Sequence, residues 1–488
     1  MAQTEHRLYD QLAAAAQAAY PLHMPGHKRQ PGPVPGLPYA WDTTETPATD
    51  DLHDAGGILA QAMARTAALC GAARTWYLVN GSTGGLLAAV RALAPAGGTV
   101  ICARNCHKAV YHAIELGGLH VRWLTPPLDP GWGIYGSVTP DAVAAALQAA
   151  PTAACVILTS PTYEGVLSDI AGIAAVCHAR GVPLLVDEAH GAHYLPLAQA
   201  CGWRGGALAA GADVVVQSPH KTLPSLTQTA LLHLGAGSLA DPEEIERQLD
   251  VFETSSPSYP LLASLDGCTG LLAARGAALF AGWRARLDRF YQKTGTLRRL
   301  RVLEAGRAAH PAFWSRDDGK ILVDGRGAGL TGAALAQALR ARRLEPEMQT
   351  GTLLLAMTSL ADAADALDNL AEALAEVEVE TRANSPLPPV ATALPAPGAA
   401  VLPIAAALRR PHAPCPAAAA AGRTAAEYVW AYPPGVPLLA PGERITPAFL
   451  AAADALEAAG TRLHHTVART PGTLAVLADP DPAAPGTR

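Results

Sequence analysis

The run VDEAHGAHY at 186–194 sets Asp187, Glu188, His190 and His193 close together in sequence. All four side-chain types bind metals, so a metal site is the first reading. The second is an acid and a histidine, three residues apart, flanking an organic ligand. Neighbouring residues on an extended segment point to opposite faces, which keeps Glu188 out of any coordination shell that holds Asp187. Further on, SPHKTLPSLTQTA at 218–230 follows the apolar run DVVVQ. Pro219 and Pro224 interrupt a regular helix there, and Lys221 sits in the turn beside Ser218 and His220. A buried lysine has a lowered pKa and becomes a nucleophile towards aldehydes, and Ser218 and His220 carry donors suited to a phosphate. An arbitrary loop lysine is simply solvated; the rest of the sequence has to argue otherwise.

Two more stretches carry chemistry. LVNGSTGGLLAAV at 78–90 reads as an apolar run, a Gly-rich turn and a helix. Backbone N–H groups at a helix start form an anion site; here they begin at Gly81, and Ser82 and Thr83 add hydroxyls. The spacing is neither that of an NTPase loop nor GxGxxG, so this stretch alone fits a phosphate site or a plain capped turn. ARNCHKAVYHAIEL at 103–116 puts His107 near a helix start, either as a surface cap or as an imidazole face laid on a flat ligand.

The elements that position these residues alternate. TVICA, HVRWL, ACVILT, VPLLVDEA and DVVVQS are short β-rich runs. Helical stretches such as PDAVAAALQAA and IAGIAAVCHARG separate several of them. This pattern predicts a largely parallel α/β sheet, in which ligands bind beyond the carboxyl ends of the strands. Asn80, Asp187 and Ser218 all stand where a strand ends. Four regions follow: an N-terminal arm with a large domain over 1–295, a small α/β domain over 296–382, a Pro/Ala linker over 383–398, and a C-terminal domain over 399–488 with a frayed tail.

Composition narrows the class. Half of the 488 residues are hydrophobic and only 16% are charged, so a large core is available and general disorder is excluded. A net charge of −6 without Lys/Arg blocks argues against nucleic acid or an anionic membrane as partner. With no signal pattern and no long uncharged apolar run, the expected location is the cytoplasm. The 8 cysteines are scattered without a CxxC pair, and Cys102 and Cys106 have no neighbours to complete a zinc set.

Taken together, the motifs resemble one family. HMPGHK, DDLHDAGG, LVNGST, RNCHKA, SPTYEGV, VDEAHGAH, SPHKTLPSLTQTA, TSSPSYPLLASLD and YPPGVPLLAPGE occur in the order seen in the pyridoxal-phosphate-dependent Orn/Lys/Arg decarboxylases. The resemblance implies a fold-type-I, aspartate-aminotransferase-like large domain with a mainly parallel sheet, a small α/β domain and a C-terminal α+β domain. It makes pyridoxal 5'-phosphate the cofactor and Lys221 its covalent anchor. Asp187 matches the partner of the pyridine nitrogen, His107 the imidazole stacked on the ring, and His190 the neighbour of the phenolic oxygen. Gly81, Ser82, Thr83, Ser218 and His220 match phosphate and cofactor contacts, and no metal is implied. TSSPSY at 254–259 resembles a segment that reaches the cofactor across a dimer interface, which implies a homodimer with shared active sites. Lacking a receiver-like N-terminal domain, the chain resembles the family's short members.

The implied substrate is a basic L-amino acid: arginine, giving agmatine, ahead of lysine and ornithine. A distal cation needs an acid in the pocket. Glu427 in GRTAAEYVWAYPPG and Glu347 in LEPEMQ are the candidates, each weighed against a solvated surface role. An aminotransferase of the same fold is the alternative; it would need an arginine clamp for the α-carboxylate, for which Arg326 and Arg340 are available.

Overall fold

The β-branched and aromatic runs pair into a seven-stranded sheet. Its strands are β1 (Arg74–Leu78), β2 (Thr99–Ala103), β3 (His120–Leu124), β4 (Ala153–Thr159), β5 (Leu184–Glu188), β6 (Val214–Gln217) and β7 (Ala230–Leu234). The computed structural model describes residues 7–18, 20–25, 27–30, 37–304, 312–387, 397–431, 435–458 and 461–478. Most of the expected linker and the expected tail lie outside these residues. Spatial order is β1-β7-β6-β5-β4-β2-β3. β7 is antiparallel to both its neighbours, and the other pairings are parallel. Six strands therefore end at one edge of the sheet, and β7 begins there.

The helices around this sheet and beyond it include α1 (Leu8–Ala18), α2 (Ile58–Cys70), α3 (Gly81–Leu93), α4 (Lys108–Gly117), α5 (Pro140–Ala149), α6 (Ile170–His178), α7 (Pro242–Phe252), α8 (Tyr259–Thr294), α9 (Gly332–Arg340) and α10 (Ala366–Glu380). Strand alternation sorts the side chains into two cores. Cys155, Ile157, Leu185 and Val216 pack with α3, α4 and α7, whereas Val156, Leu158, Val186 and Val215 pack with α5 and α6. Both faces are covered, which is why these strands are uniformly apolar rather than alternating. Asp187 continues the row of Leu185, so it belongs to the face where α3 and α4 begin.

α3 rests directly on the sheet. A Cβ at Gly85 would lie 2.5 Å from Leu78 Cδ1 and 3.1 Å from Val216 Cγ1; any larger residue would lift the helix and move its N-terminus. The 36-residue α8 carries the chain away to a second, four-stranded antiparallel sheet. This sheet is built from β8 (Arg301–Val302), β9 (Lys320–Asp324), β10 (Met348–Thr350) and β11 (Leu353–Met357). A short bridge ties the two sheets: Ser315–Arg316 pairs antiparallel with Val166–Leu167. Beyond residue 397, small sheets built from 412–477 pack as a third unit with its own apolar cluster. Among the described residues no helix is long and apolar enough to cross a membrane.

Candidate active site

The parallel strands deliver the expected residues to one edge. Register pairs Thr159 with Asp187, Asp187 with Val216, and Glu188 with Gln217. Lys221 follows β6 in a single helical turn, Pro219–Thr222, that starts with a proline and ends before Leu223. Asp187 is 2% exposed. Its Oδ1 accepts the Ala189 N–H at 3.1 Å. Burial raises the Asp187 carboxyl, and the Lys221 ammonium opposes that rise. Burial lowers Lys221, while Asp187 and then Glu347 pull it back. An acid and an amine thus share one desolvated space. His107 caps α4, its Nδ1 accepting the Ala109 N–H at 3.2 Å. Burial, with Lys221 next in importance, pushes its pKa down to about 4, so the ring is neutral at ordinary pH. The C-terminal unit braces that helix: Gly435 accepts from the Lys108 N–H, Glu443 pairs with Arg104 at 3.0 Å, and Tyr428 donates to Glu115 at 2.9 Å.

The other expected contacts gather where α3 begins. Gly81 adopts φ +70°, a left-handed turn that suits glycine, and the first-turn amides at Gly81, Ser82 and Thr83 have no intrahelical acceptor. Ser82 is half-buried and Thr83 exposed. The fit to an anionic, polar ligand can be tested on buried atoms. Asn105 Oδ1, Thr159 Oγ1, Ser218 Oγ and Thr222 Oγ1 are buried without a hydrogen-bond partner among the described residues, and all four closely follow or end strands at this edge. Unpaired buried polar atoms are rare; here they accompany a free helix start, as a phosphorylated ring ligand requires. His220 sharpens one expectation. Its Nδ1 lies 2.7 Å from the Thr229 carbonyl, so that nitrogen carries the proton. Nε2 then donates to a phosphate only when the ring is an imidazolium.

Within VDEAHGAHY the four side chains separate. Glu188 accepts from the Ala207 N–H at 2.8 Å and from Gln217 Nε2 at 2.7 Å. His193 is fully buried against Trp203 and Trp283, 3.5 Å from Asp317. No metal-holding group of His, Cys, Asp and Glu occurs among the described residues. His190 is the one of the four at hydrogen-bond distance from Lys221, its Nε2 lying 3.2 Å from Nζ. Its Nδ1 lies 2.7 Å from Nζ of Lys320, a residue the sequence reading passed over. The available signal was a lone lysine opening the apolar run KILVD.

Of the two candidate acids, only Glu347 is near. It is exposed, accepts from the Tyr163 hydroxyl at 2.5 Å, and stabilises the charges of Lys221 and Lys320. The Tyr163 ring in turn meets His190 edge-on. Glu427 is corrected to a structural role. It is fully buried, and its oxygens accept the N–H groups of Val467, Ala468 and Ala475, leaving no carboxylate for a substrate cation. The arginines available for an aminotransferase clamp are also engaged, Arg326 with Asp324 and Arg340 with Glu345.

Comparison with known proteins decides the family. The model of the Orn/Lys/Arg decarboxylase major domain matches residues 39–303, and that of the family's C-terminal domain matches residues 397–470. The chain belongs to the Orn/Lys/Arg decarboxylase family. It is therefore a decarboxylase by family, in a group of enzymes that depends on pyridoxal phosphate. An arginine decarboxylase of Halalkalibacterium halodurans is 32% identical over 88% of this chain and 89% of its own length. Arginine decarboxylase of Bacillus subtilis is 31% identical over 91% and 92%. The constitutive lysine decarboxylase of Escherichia coli is 27% identical over 52% of this chain and 37% of its own. A solved structure of an E. coli constitutive lysine decarboxylase superposes with a TM-score of 0.78 at 22% identity, covering 96% of this chain and 82% of that one. A Sphingomonas wittichii serine palmitoyltransferase gives 0.52 at 17%, covering 67% and 77%. The fold is the aspartate-aminotransferase-like fold type I, as the family resemblance of the motifs implied.

Proposed function

We propose that this family member is an arginine decarboxylase that binds pyridoxal 5'-phosphate and converts L-arginine to agmatine and carbon dioxide. The carrying observation is the pairing of buried Asp187 with half-buried Lys221 at the strand ends, set beside unpartnered polar atoms. Lys221 holds the cofactor's aldehyde carbon, and Asp187 faces the pyridine nitrogen and keeps it protonated. His107 offers a neutral ring face, and His190 borders the phenolic oxygen. The amides at Gly81, Ser82 and Thr83, with the hydroxyls of Ser82, Thr83 and Ser218, take the phosphate, and His220, whose pKa burial lowers, lines the same site. When bound, pyridoxal phosphate supplies an electron sink for the pair left behind as the carboxylate departs.

The chain's own residues do the rest. Burial keeps Asp187 and Lys221 away from water, which strengthens each charge acting across the site. Glu347, with a carboxylate at the mouth, orients the distal cation, and a guanidinium's planar fork suits a carboxylate better than an ammonium does. Arginine is favoured over lysine and ornithine because the relatives that match along nearly their full length are named arginine decarboxylases. We also read residues 1–295 as the cofactor-binding part, 296–382 as the small domain and 399–488 as the brace behind α4. The working form is a cytoplasmic homodimer, in which Ser255 and Ser256, exposed in the single chain, reach the partner's site.

The test is to incubate the cofactor-loaded chain with arginine, lysine and ornithine separately and measure amine and carbon dioxide. Agmatine should form fastest. Faster cadaverine would reassign the substrate, keto-acid formation without carbon dioxide would make the chain an aminotransferase, and negligible turnover of all three would overturn the reading.

A further inference from the structure

Lys320 opens β9, is 1% exposed, and reaches the site past a glycine. Gly165 stands beside it at φ +95°, and a Cβ there would lie 2.8 Å from Lys320 Cβ and 2.9 Å from Cγ. Only glycine suits both the backbone angle and the passing side chain. The segment is pinned from both sides, since the Asp317 N–H donates to the Gly165 carbonyl at 2.7 Å. The lysine ends 2.7 Å from His190 Nδ1, while His190 Nε2 lies 3.2 Å from Lys221. One imidazole therefore bridges two amines, one from the small sheet and one from the turn after β6.

Hydrogen-bond polarity limits what this trio can hold. An ammonium has donors and no acceptor; a neutral imidazole has one of each. Burial and the adjacent lysines keep His190 neutral. When Lys320 is charged, Nδ1 accepts, the ring proton sits on Nε2, and Lys221 must accept it, which only a free amine does. When Lys221 is charged, the same logic makes Lys320 the free amine. Passing from the second state to the first moves one proton from Lys221 Nζ to Nε2 and one from Nδ1 to Lys320 Nζ. The net charge of the trio stays at one.

We propose that Lys320, acting through His190, holds that single proton and so keeps Lys221 a free amine at neutral pH. Lys320 is thus a positioning residue for the covalent anchor. Asp317, Glu347 and Glu164 favour the charged form of Lys320, against burial and Lys221, and its Nζ lies 5.7 Å from the centre of the Tyr163 ring, within reach of a cation–π contact. Asp187 and Glu347 act on Lys221, and His107, His220 and the Tyr163 ring also face His190. Lys320 itself is lowered to about 8 by burial, so the exchange falls in a physiological range.

This inference rests on the reading of Lys221 as the aldehyde-capturing amine, but its test reads the amine directly. Pulses of acetic anhydride across a pH series, applied to the full-length chain freed of aldehyde, report the free-amine fraction at Lys221 by mass spectrometry. Lys320→Met should raise the midpoint of Lys221 acetylation by about one pH unit or more, a tenfold loss of free amine at neutral pH. Lys320→Arg keeps the charge and should hold the midpoint near that of the unmodified sequence. His190→Phe should raise it with Lys320 still present. An unmoved midpoint in Lys320→Met, or equal shifts in the Met and Arg variants, overturns the proposal. Should Lys320→Met fail to fold, His190→Phe decides alone, and no upward shift there is equally fatal. Absence of decarboxylation with the midpoint shifts intact would sink the functional reading and leave this one standing.

Discussion

Asp187 and Glu188 are consecutive on β5, yet their carboxylates serve opposite faces: Asp187 is coupled to Lys221, and Glu188 is locked between Ala207 and Gln217. Burial holds the Glu188 carboxyl up at about 8, against an ordinary value of 4.5. Its folded pKa is raised, so the native state binds more protons than the unfolded chain between those values. The stability it contributes is complete below pH 4.5 and is lost as pH rises through about 8. Glu188→Gln removes that dependence. Melting temperatures from pH 5 to 8 should diverge in favour of the variant as pH rises, by a few degrees (on the order of 1 kcal/mol or more). Parallel curves would show that Glu188 ionises normally in the fold.

Lys221→Ala removes the amine that lies 3.2 Å from His190 and is coupled to Asp187. Purified with pyridoxal phosphate, the variant should lack absorbance near 420 nm and lose about a thousandfold or more in decarboxylation, with its melting temperature little changed. A retained band would move the covalent anchor to another lysine, with Lys320 the first to examine.

Asp187→Asn keeps the shape and the Ala189 contact but withdraws the charge. Turnover should fall by about a hundredfold or more, while the variant still captures the cofactor through Lys221. Full activity would remove Asp187 from the pyridine nitrogen.

Much of this geometry was legible in the sequence. Short β-rich apolar runs placed the strand ends, and strand ends in a parallel sheet place ligands, so Asp187, Ser218 and the turn at Gly81 could be read together. The opposition of Asp187 and Glu188 followed from strand alternation alone. Lys320 was not legible, because its partner His190 is 130 residues away and the bridge depends on how the small sheet docks through Ser315–Arg316. Glu427 misled for a related reason. A carboxylate that satisfies three backbone amides and one that awaits a substrate look alike until the loop it holds is seen.

That loop yields a stability prediction. Glu427 accepts from Val467, Ala468 and Ala475, and these backbone donors, with His465, hold its pKa below the usual carboxylate value against the effect of burial. With the folded pKa depressed, its contribution is present above the ordinary carboxylate range and is lost as pH falls through the folded value. Glu427→Ala strands the amides and should cost about 3 kcal/mol, read as a lower melting temperature. The KM for arginine should not move; a raised KM in a well-folded variant would return Glu427 to the pocket.

Glu347 makes the opposite forecast. Its carboxylate is exposed, already accepts the Tyr163 hydroxyl, and lies close enough to favour the charged forms of both Lys221 and Lys320. A charge-assisted contact to a distal guanidinium is worth about 1.5–3 kcal/mol. Glu347→Gln should therefore lower kcat/KM for arginine by roughly ten- to a hundredfold. Because the distal cation is bound alike before and during bond breaking, the loss should appear in KM, with kcat at saturation nearly kept. The same variant should act less on a substrate with a shorter side chain, whose cation falls short of the mouth. A kcat loss at unchanged KM would mean that Glu347 works on the lysines rather than on the substrate, and the distal cation would need another acid.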